Sequence, residues 1–228
     1  MEIKQIYDIK NLKLRYKHKK ALEIKTLKIH NGLIYGICGN FGSGKTSLIK
    51  ILSGKIAESD GEILYQGSKF KKNIFGNIKN PDDVEYLDLD CISSSGTVEQ
   101  LIKKKFPQKS QQIKSRHFIG FQLESLWKAP VNCISGGEKH WLKTVIGLEK
   151  DPRVLLIDDY GLSIDSRTEM ALRKKIIKMN NILGTTVILS SNNDYFLKQF
   201  SSIIIYLDNG HISKVRKGFK RKKNQRKN

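Results

Sequence analysis

Apolar and polar residues alternate along the first part of the chain. Residues 9–16 and 22–29 both follow this two-residue period, which is typical of strands that bury one face and expose the other. Asn31 and Gly32 then supply the residue types of a tight turn. The pattern predicts an antiparallel sheet near the N-terminus.

Three later segments are almost continuously apolar, at residues 33–38, 154–157 and 186–189. Strands that are buried on both faces of a parallel sheet have this composition. Helical periodicity follows the first segment at residues 46–52, and it separates the other two at residues 166–179. This order of strands and helices predicts an α/β core built on a parallel sheet.

A helical insert is predicted between the first and the later strands of this core. Residues 97–149 are rich in helix-compatible types, and Pro107, Pro130 and the pair Gly136-Gly137 interrupt them. Because proline and glycine break helices, the segment is expected to form several short helices rather than one long one.

The length of 228 residues fits one main domain. No apolar run approaches the roughly 18 residues that a membrane-spanning helix needs, and the N-terminus has no signal-peptide core. Cys38, Cys91 and Cys133 are far apart and lack metal-ligand spacing, which argues against a disulfide framework and a zinc site. We expect a chain that works in a reducing, cytoplasmic compartment.

The charge is strongly positive and unevenly distributed. The chain has 42 Lys and Arg against 22 Asp and Glu, a net charge of +20, and residues 214–228 contain nine of the basic residues and no acidic one. Such a segment predicts a basic, disordered tail. Three roles are open for this tail: solubility alone, contact with an anionic membrane surface, or contact with RNA or DNA. Nucleic acid is less favoured because interleaved aromatic residues are missing.

A phosphate-binding pattern occupies residues 39–47, between a predicted buried strand and a predicted helix. The segment matches GxxxxGK[ST]. In such a loop, glycine lets backbone N–H groups face a phosphate, the lysine adds a positive charge, and the next hydroxyl can bind Mg²⁺. These roles require a nucleoside triphosphate. The candidate nucleotide-binding residues are Gly39, Asn40, Phe41, Gly42, Ser43, Gly44, Lys45, Thr46 and Ser47, with Thr46 also a candidate metal ligand.

Two carboxylates, Asp158 and Asp159, follow directly on the buried segment 154–157. A carboxylate at the C-terminal end of a parallel strand lies at the same edge of the sheet as the phosphate loop. Asp158 is therefore a candidate metal ligand, together with Thr46, and we call its part of the site the metal side.

The order of three motifs resembles that of ATP-binding cassette (ABC) ATPases. Ser135, Gly136, Gly137 and Glu138 lie between the phosphate loop and the carboxylate pair, as the family's signature motif lies between its phosphate loop and its Walker B strand. Taken alone, this segment is more typical of a helix-capping turn than of a functional motif, and its position between the other two motifs is what favours the signature.

The resemblance covers nearly the whole chain apart from the basic tail. Tyr16 resembles the aromatic residue that stacks on adenine, and Ser163-Ile164-Asp165 resembles the D-loop, with Asp165 as its acidic residue. The implied fold is an α/β P-loop NTPase core with a parallel sheet, an N-terminal antiparallel β subdomain and an inserted helical subdomain. The implied domain is an ABC ATP-binding domain at residues 1–213.

The resemblance also implies partners and cofactors. Such cassettes bind ATP and Mg²⁺ as head-to-tail dimers, so Ser135, Gly136, Gly137 and Glu138 would serve the ATP of the opposite subunit. The dimer is either a homodimer or a heterodimer with a second ABC subunit. Small residues at a helix N-terminus suit this role because they let N–H groups approach a γ-phosphate.

Three positions depart from the family's catalytic pattern. Asp159 stands where a glutamate usually polarises the attacking water, and Asn192 stands where the switch-loop histidine is expected. Leu89 aligns with the usual glutamine of the loop that senses Mg²⁺. An intact binding half beside an altered catalytic half predicts slow hydrolysis, or hydrolysis only beside a more competent second cassette. The alternative is that Asp159 and Asn192 compensate for each other in a working site.

The leading functional prediction is the ATP-binding subunit of an ABC transporter, peripheral on the cytoplasmic face of the membrane and attached to a separate transmembrane permease subunit. Two other classes stay open. One is a soluble, non-transport ABC ATPase that acts on a cytosolic assembly. The other is a nucleotide-binding regulator that has lost turnover.

Overall fold

The computed structural model describes residues 4–17, 19–71, 73–74, 78–88, 95–162 and 164–218. Strand β1 (Gln5–Tyr16) lies between β2 (Lys19–His30) and β4 (Asp60–Tyr65), and both pairings are antiparallel. The alternating pattern of residues 9–16 and 22–29 therefore predicted this sheet correctly. Its apolar face packs on the core of the protein.

In the described part of the chain, a second sheet of six strands forms the centre of the fold. Its order is β5-β6-β7-β3-β8-β9. All neighbouring strands are parallel except the edge pair β8 and β9, which is antiparallel. The strands are β3 (Ile34–Cys38), β5 (Val84–Leu87), β6 (Val154–Ile157), β7 (Thr186–Ser191), β8 (Ile203–Asp208) and β9 (His211–Lys217).

Six α-helices occur in the described part of the chain. They are α1 (Lys45–Leu52), α2 (Val98–Lys105), α3 (Ser110–His117), α4 (Phe121–Lys128), α5 (Gly136–Glu149) and α6 (Ser166–Leu183). A short 3₁₀-helix covers Leu197–Gln199. Helices α2 to α5 all lie within residues 97–149, where several short helices were predicted.

The described helices pack in three apolar clusters. Helix α1 lies with the N-terminal sheet on one face of the central sheet, and residues of α6 pack on the other face. Helices α2 to α5 share a separate cluster around Trp127 and Trp141, which Leu172 of α6 joins. The helical insert thus has a core of its own beside the sheet.

The predicted boundary at residue 214 is wrong for the first part of the tail. Residues 214–217 belong to strand β9, in which Lys217 pairs with Ile203 and Val215 pairs with Ile205. Backbone pairing with β8 orders this segment although its side chains stay exposed, and basic side chains suit an edge strand because they discourage further pairing. Residues 219–228 of the predicted tail lie outside the described residues.

None of the helices that the structure describes combines the length and the apolar composition needed to cross a bilayer.

Candidate nucleotide-binding site

The phosphate-loop segment connects the end of β3 to the start of α1. The amide of Ser43 donates to the carbonyl oxygen of Asn40 at 3.1 Å, which curls the loop, and Gly44 is the N-cap residue of α1. Among the described residues, no side chain caps the first amide groups of this helix. Because the N-terminus of a helix carries a partial positive charge, these amide groups are suited to bind a phosphate.

Two glycines of the loop are required by close contacts. Gly44 has φ 103°, and a Cβ atom there would lie 2.6 Å from Cδ2 of Leu22. A Cβ atom on Gly39 would lie 2.3 Å from the carbonyl oxygen of Leu207. Any larger residue would push the loop away from the neighbouring strands β2 and β8.

Lys45 is a buried residue of the phosphate loop. Its Nζ donates hydrogen bonds to the carbonyl oxygens of Gly39 at 2.7 Å and Asn40 at 3.0 Å. Burial lowers the pKa of the Lys45 ammonium below its ordinary value, while Asp159 and Asp158 oppose that shift. The site thus contains a cation close to the loop with two carboxylates near enough to influence it.

The loop contains a buried polar atom that has no hydrogen-bond partner among the described residues. In the described part of the chain, the hydroxyl of Ser43 is shielded from solvent and makes no hydrogen bond. Leaving a buried hydroxyl unpaired costs about 1–3 kcal/mol. A phosphate oxygen is the kind of acceptor that would satisfy it, so the loop as folded fits a phosphate group.

Two aromatic residues flank the loop. Tyr16 is 49% exposed, and its hydroxyl lies 3.4 Å from Oγ of Ser47, so the structure brings the predicted adenine-stacking residue next to the phosphate loop. Phe41, within the loop itself, is 98% exposed. An aromatic ring so exposed makes almost no contact with its own chain.

Asp158 and Asp159 follow the last residue of β6, as predicted. Asp158 is buried, and its Oδ1 accepts a hydrogen bond from the hydroxyl of Ser190. Asp159 has φ 50°, and its amide donates to the same hydroxyl at 2.9 Å. Ser190 lies near the end of the neighbouring strand β7. The sequence did not identify it as a site residue, because a small residue in a buried strand is common.

Asn192 follows the last residue of β7 and is exposed in a bend. It lies two residues beyond Ser190, at the same edge of the sheet as the carboxylates. Leu89, which aligns with the family's glutamine, and Ser163 of the D-loop segment lie outside the described residues.

The signature segment forms the start of α5. Ser135 is the N-cap: its hydroxyl accepts from the amide of Glu138 at 3.3 Å, and the Glu138 carboxylate accepts from the amide of Ser135 at 2.8 Å. Gly136 and Gly137 are the first two residues of the helix. The structure therefore shows the capping role that the segment alone suggested, and it leaves two consecutive helix-start positions without side chains.

Asp165 is the N-cap of α6. Its Oδ1 accepts from the amides of Arg167 at 2.8 Å and Thr168 at 2.9 Å, and Oδ2 accepts from the Thr168 hydroxyl at 2.6 Å. These hydrogen bonds from Thr168 and Arg167 hold the pKa of the Asp165 carboxyl below its usual range. Its carboxylate fixes the end of the D-loop segment to the helix that follows.

His140 is a second residue that the sequence did not reveal. Its buried ring lies edge-on to that of Tyr160, with 5.9 Å between ring centroids. Burial, with a contribution from Lys143, lowers the pKa of His140 to about 4, and a hydrogen bond to the backbone of Leu162 opposes this shift. His140 thereby joins α5, which carries the signature segment, to the turn that follows the carboxylates.

The possible metal ligands at this edge of the sheet are few, which suits Mg²⁺ bound together with phosphates and water better than a metal bound by side chains alone. Among the described residues, no group of three or more His, Cys, Asp or Glu side chains forms a metal site. Mg²⁺ usually binds through one or two protein oxygens together with phosphates and water. A buried carboxylate at Asp158 and the hydroxyl of Thr46 are ligands of that type.

The family of the chain follows from a match to known sequences. The family model described as ABC transporter matches residues 22–160, more than half of the chain. The chain therefore belongs to the ABC transporter family, and its class is that of the family's ATP-binding ATPases. This confirms the resemblance carried by the phosphate loop, the signature segment and the carboxylate pair.

Individual relatives are similar to this chain over most of their own length. The phosphate import ATP-binding protein PstB of Saccharolobus solfataricus is 27% identical, over 91% of this chain and 86% of the relative. The energy-coupling factor transporter ATP-binding protein EcfA2 of Thermotoga maritima is 27% identical, over 84% of this chain and 73% of the relative. Both names describe ATP-binding proteins of transporters, the class predicted from the sequence.

Solved structures show the same fold. The structure of cbiO1 from Clostridium perfringens, part of the ABC transporter complex cbiONQ, gives a TM-score of 0.79 at 20% identity and covers 94% of this chain and 89% of that chain. A dimeric ATP-binding cassette in a post-hydrolysis state with ADP and Pi gives 0.78 at 20% identity, over 93% and 100%. At this level of identity the likeness confirms the predicted α/β P-loop NTPase fold.

Proposed function

We propose that the chain is the ATP-binding subunit of an ABC transporter and couples ATP binding to a separate transmembrane subunit. One observation carries the proposal: the N-terminus of α1, which no described side chain caps, lies at the same edge of the sheet as the buried Lys45 and the buried Asp158. That edge offers amide groups and an ammonium for the phosphates and a carboxylate for the metal side.

Mg²⁺ would be held by Thr46 and Asp158 together with the phosphates of ATP. When bound, the ion neutralises charge on the phosphates. Lys45 contributes a second positive charge from within the loop, and Tyr16 offers an aromatic face for adenine beside Ser47.

The head-to-tail dimer is supported by the geometry of the signature segment. Ser135 and Glu138 make hydrogen bonds with each other. Gly136 and Gly137 have no side chains, so a ligand can closely approach the start of α5. A γ-phosphate from an opposite subunit would meet a helix N-terminus without steric hindrance from side chains. ATP would thereby join two subunits, and its hydrolysis would let them separate.

Slow hydrolysis is part of this proposal. Asp159 has a side chain one methylene shorter than glutamate, and Asn192 cannot carry a positive charge. A carboxylate displaced by about 1 Å can cost on the order of 10²-fold in rate. The chain would then hydrolyse ATP slowly by itself, or at a useful rate only beside a second cassette.

Co-purification tests the transporter assignment. The tagged chain is isolated from gently solubilised membranes of its native cell in the presence of Mg-ATP, and its partners are identified by mass spectrometry, with Lys45→Ala as the binding-deficient control. Recovery of a multi-span membrane protein is expected. A set of soluble partners with no membrane protein would contradict the proposal and favour a non-transport cassette.

A nucleotide-binding regulator without turnover is the second candidate, since Asp159 and Asn192 both depart from the catalytic pattern. It differs from the first in a measurable way. A regulator would dimerise with Mg-ATP but release no phosphate, even after reconstitution with its partners.

A further inference from the structure

Ser190 lies at the centre of the sheet edge that forms the site. It belongs to β7, which has β6 on one side and β3 on the other. Leu189 pairs with Ile157, the last residue before the carboxylates, and Ser190 pairs with Ile37, two residues before the phosphate loop. The residue is fully buried between the two strands that carry the metal side and the phosphate side.

The two hydrogen bonds of the Ser190 hydroxyl determine where its proton points. The amide of Asp159 can only donate, so the 2.9 Å contact makes Oγ of Ser190 an acceptor there. The single proton of the hydroxyl is then directed to Oδ1 of Asp158. One small side chain thus restricts the rotation of the Asp158 carboxylate and fixes the backbone of Asp159 at the same time.

A third contact reinforces this arrangement. The amide of Tyr160 donates to the carbonyl oxygen of Ser190 at 2.7 Å. Between these bonds, Asp159 has φ 50°, in the left-handed region that residues other than glycine adopt uncommonly and that aspartate tolerates better than most. Such a conformation persists when surrounding bonds hold it. Here the bonds to Ser190 lie on both sides of the strained residue.

We propose that Ser190 is a positioning residue of the nucleotide site, which holds the metal-side Asp158 and the neighbouring Asp159 in their working orientation. It touches neither nucleotide nor metal in this role and acts through the two carboxylates. The inference rests on the proposed function, because it assigns Asp158 to the magnesium side of an ATP site.

Removal of the hydroxyl should change the response to magnesium rather than the affinity for ATP itself. Ser190→Ala leaves Oδ1 of Asp158 without its donor and the amide of Asp159 without its acceptor. The Mg²⁺ concentration that half-saturates tight nucleotide binding should rise about tenfold, the effect of losing one hydrogen bond to a charged group. Binding of ATP in the absence of Mg²⁺ should stay at the wild-type level.

The experiment uses the full chain and a fluorescent ATP analogue titrated with and without Mg²⁺. Ser201→Ala is the matched control, because Ser201 is also fully buried and, within the described residues, its hydroxyl has no hydrogen-bond partner. Ser190→Thr retains the hydroxyl and should retain the wild-type Mg²⁺ response even if its stability falls. Magnesium binding is thereby read separately from turnover.

Three results would overturn the inference. In the first, Ser190→Ala has the same Mg²⁺ dependence as Ser201→Ala. In the second, Ser190→Thr is as impaired as Ser190→Ala. In the third, Ser190→Ala weakens ATP binding without Mg²⁺ as much as it weakens binding with Mg²⁺, which indicates general damage. In each of these, normal Mg-ATP binding by the wild type leaves the proposed function standing. A wild-type chain that binds no ATP would overturn both.

Discussion

The Nζ atom of Lys45 lies 2.7 Å from the carbonyl oxygen of Gly39, six residues earlier in the same loop. This bond keeps a buried ammonium paired with its own loop. A phosphate is a stronger acceptor than a carbonyl oxygen because its hydrogen bonds with a cation are charge-assisted on both sides. Nucleotide binding would therefore exchange the bonds of Lys45 rather than create an interaction for an unpaired charge.

Lys45→Ala should weaken Mg-ATP binding about 10- to 150-fold, because a hydrogen bond to a charged group is worth roughly 1.5–3 kcal/mol. Lys50→Ala, on the same helix α1, is the control and should bind normally. Equilibrium binding of a fluorescent ATP analogue measures both. Equal affinity for the two variants would show that the phosphates do not reach Lys45.

Asp159→Glu should increase the steady-state rate of phosphate release by on the order of tenfold, since it restores the missing methylene and moves the carboxylate by about 1 Å. Glutamate is less tolerant than aspartate of the φ of 50° at this position, so stability should fall slightly. Asp159→Asn should lower the rate. A slower Asp159→Glu enzyme would instead favour mutual compensation between Asp159 and Asn192.

His140 should make the stability of the protein sensitive to mild acid. Its pKa is about 4 in the folded chain, below the ordinary 6.5, so the unfolded chain takes up a proton first as the pH falls. The free energy of unfolding should therefore fall from near pH 6.5 towards pH 4 by up to about 3 kcal/mol, at 1.36 kcal/mol for each unit of pKa difference.

The variant His140→Gln isolates this effect, because glutamine fills a similar space without titrating. Urea unfolding at about pH 7.5 and about pH 5 should show a smaller loss for the variant than for the wild type. All other titrating groups are common to both proteins. Identical losses would mean that His140 does not contribute to the pH dependence.

Phe41 should stabilise the ATP-dependent dimer. A ring that is 98% exposed within the phosphate loop is available to be buried by an opposite subunit, and burial of an aromatic side chain contributes about 1.5–3 kcal/mol. Phe41→Ser should weaken dimerisation at least tenfold in analytical ultracentrifugation with Mg-ATP. Phe121→Ser changes another exposed phenylalanine, in the helical insert, and should leave dimerisation unchanged.

The sequence predicted the elements whose patterns are local. Period-two alternation identified β1 and β2, and apolar runs identified β3, β6 and β7, because burial on one or two faces leaves a direct trace in residue type. The phosphate loop was equally readable, since its glycines, lysine and hydroxyl must stand at fixed spacing whatever surrounds them.

Contacts between distant elements could not be read in the same way. Ser190 looks like an ordinary residue in a buried strand until the sheet places it next to Asp158, 32 residues away in the chain. His140 lies in a helix that is buried from residue 140 to residue 149, and only the packing of its ring against Tyr160 distinguishes it. Residues 214–217 are ordered because they pair with strand β8. The sequence shows their charge but not this pairing, so it suggested disorder.

Nucleotide binding and phosphate release by the purified wild-type chain, measured together at saturating Mg-ATP, test the central claim most directly. The account predicts saturable Mg-ATP binding with dimer formation and a turnover below about 0.1 s⁻¹, against the roughly 1–10³ s⁻¹ typical of enzymes. Turnover within that typical range by the homodimer would contradict the claim that Asp159 and Asn192 slow the reaction. Absence of Mg-ATP binding would contradict the assignment of the site itself.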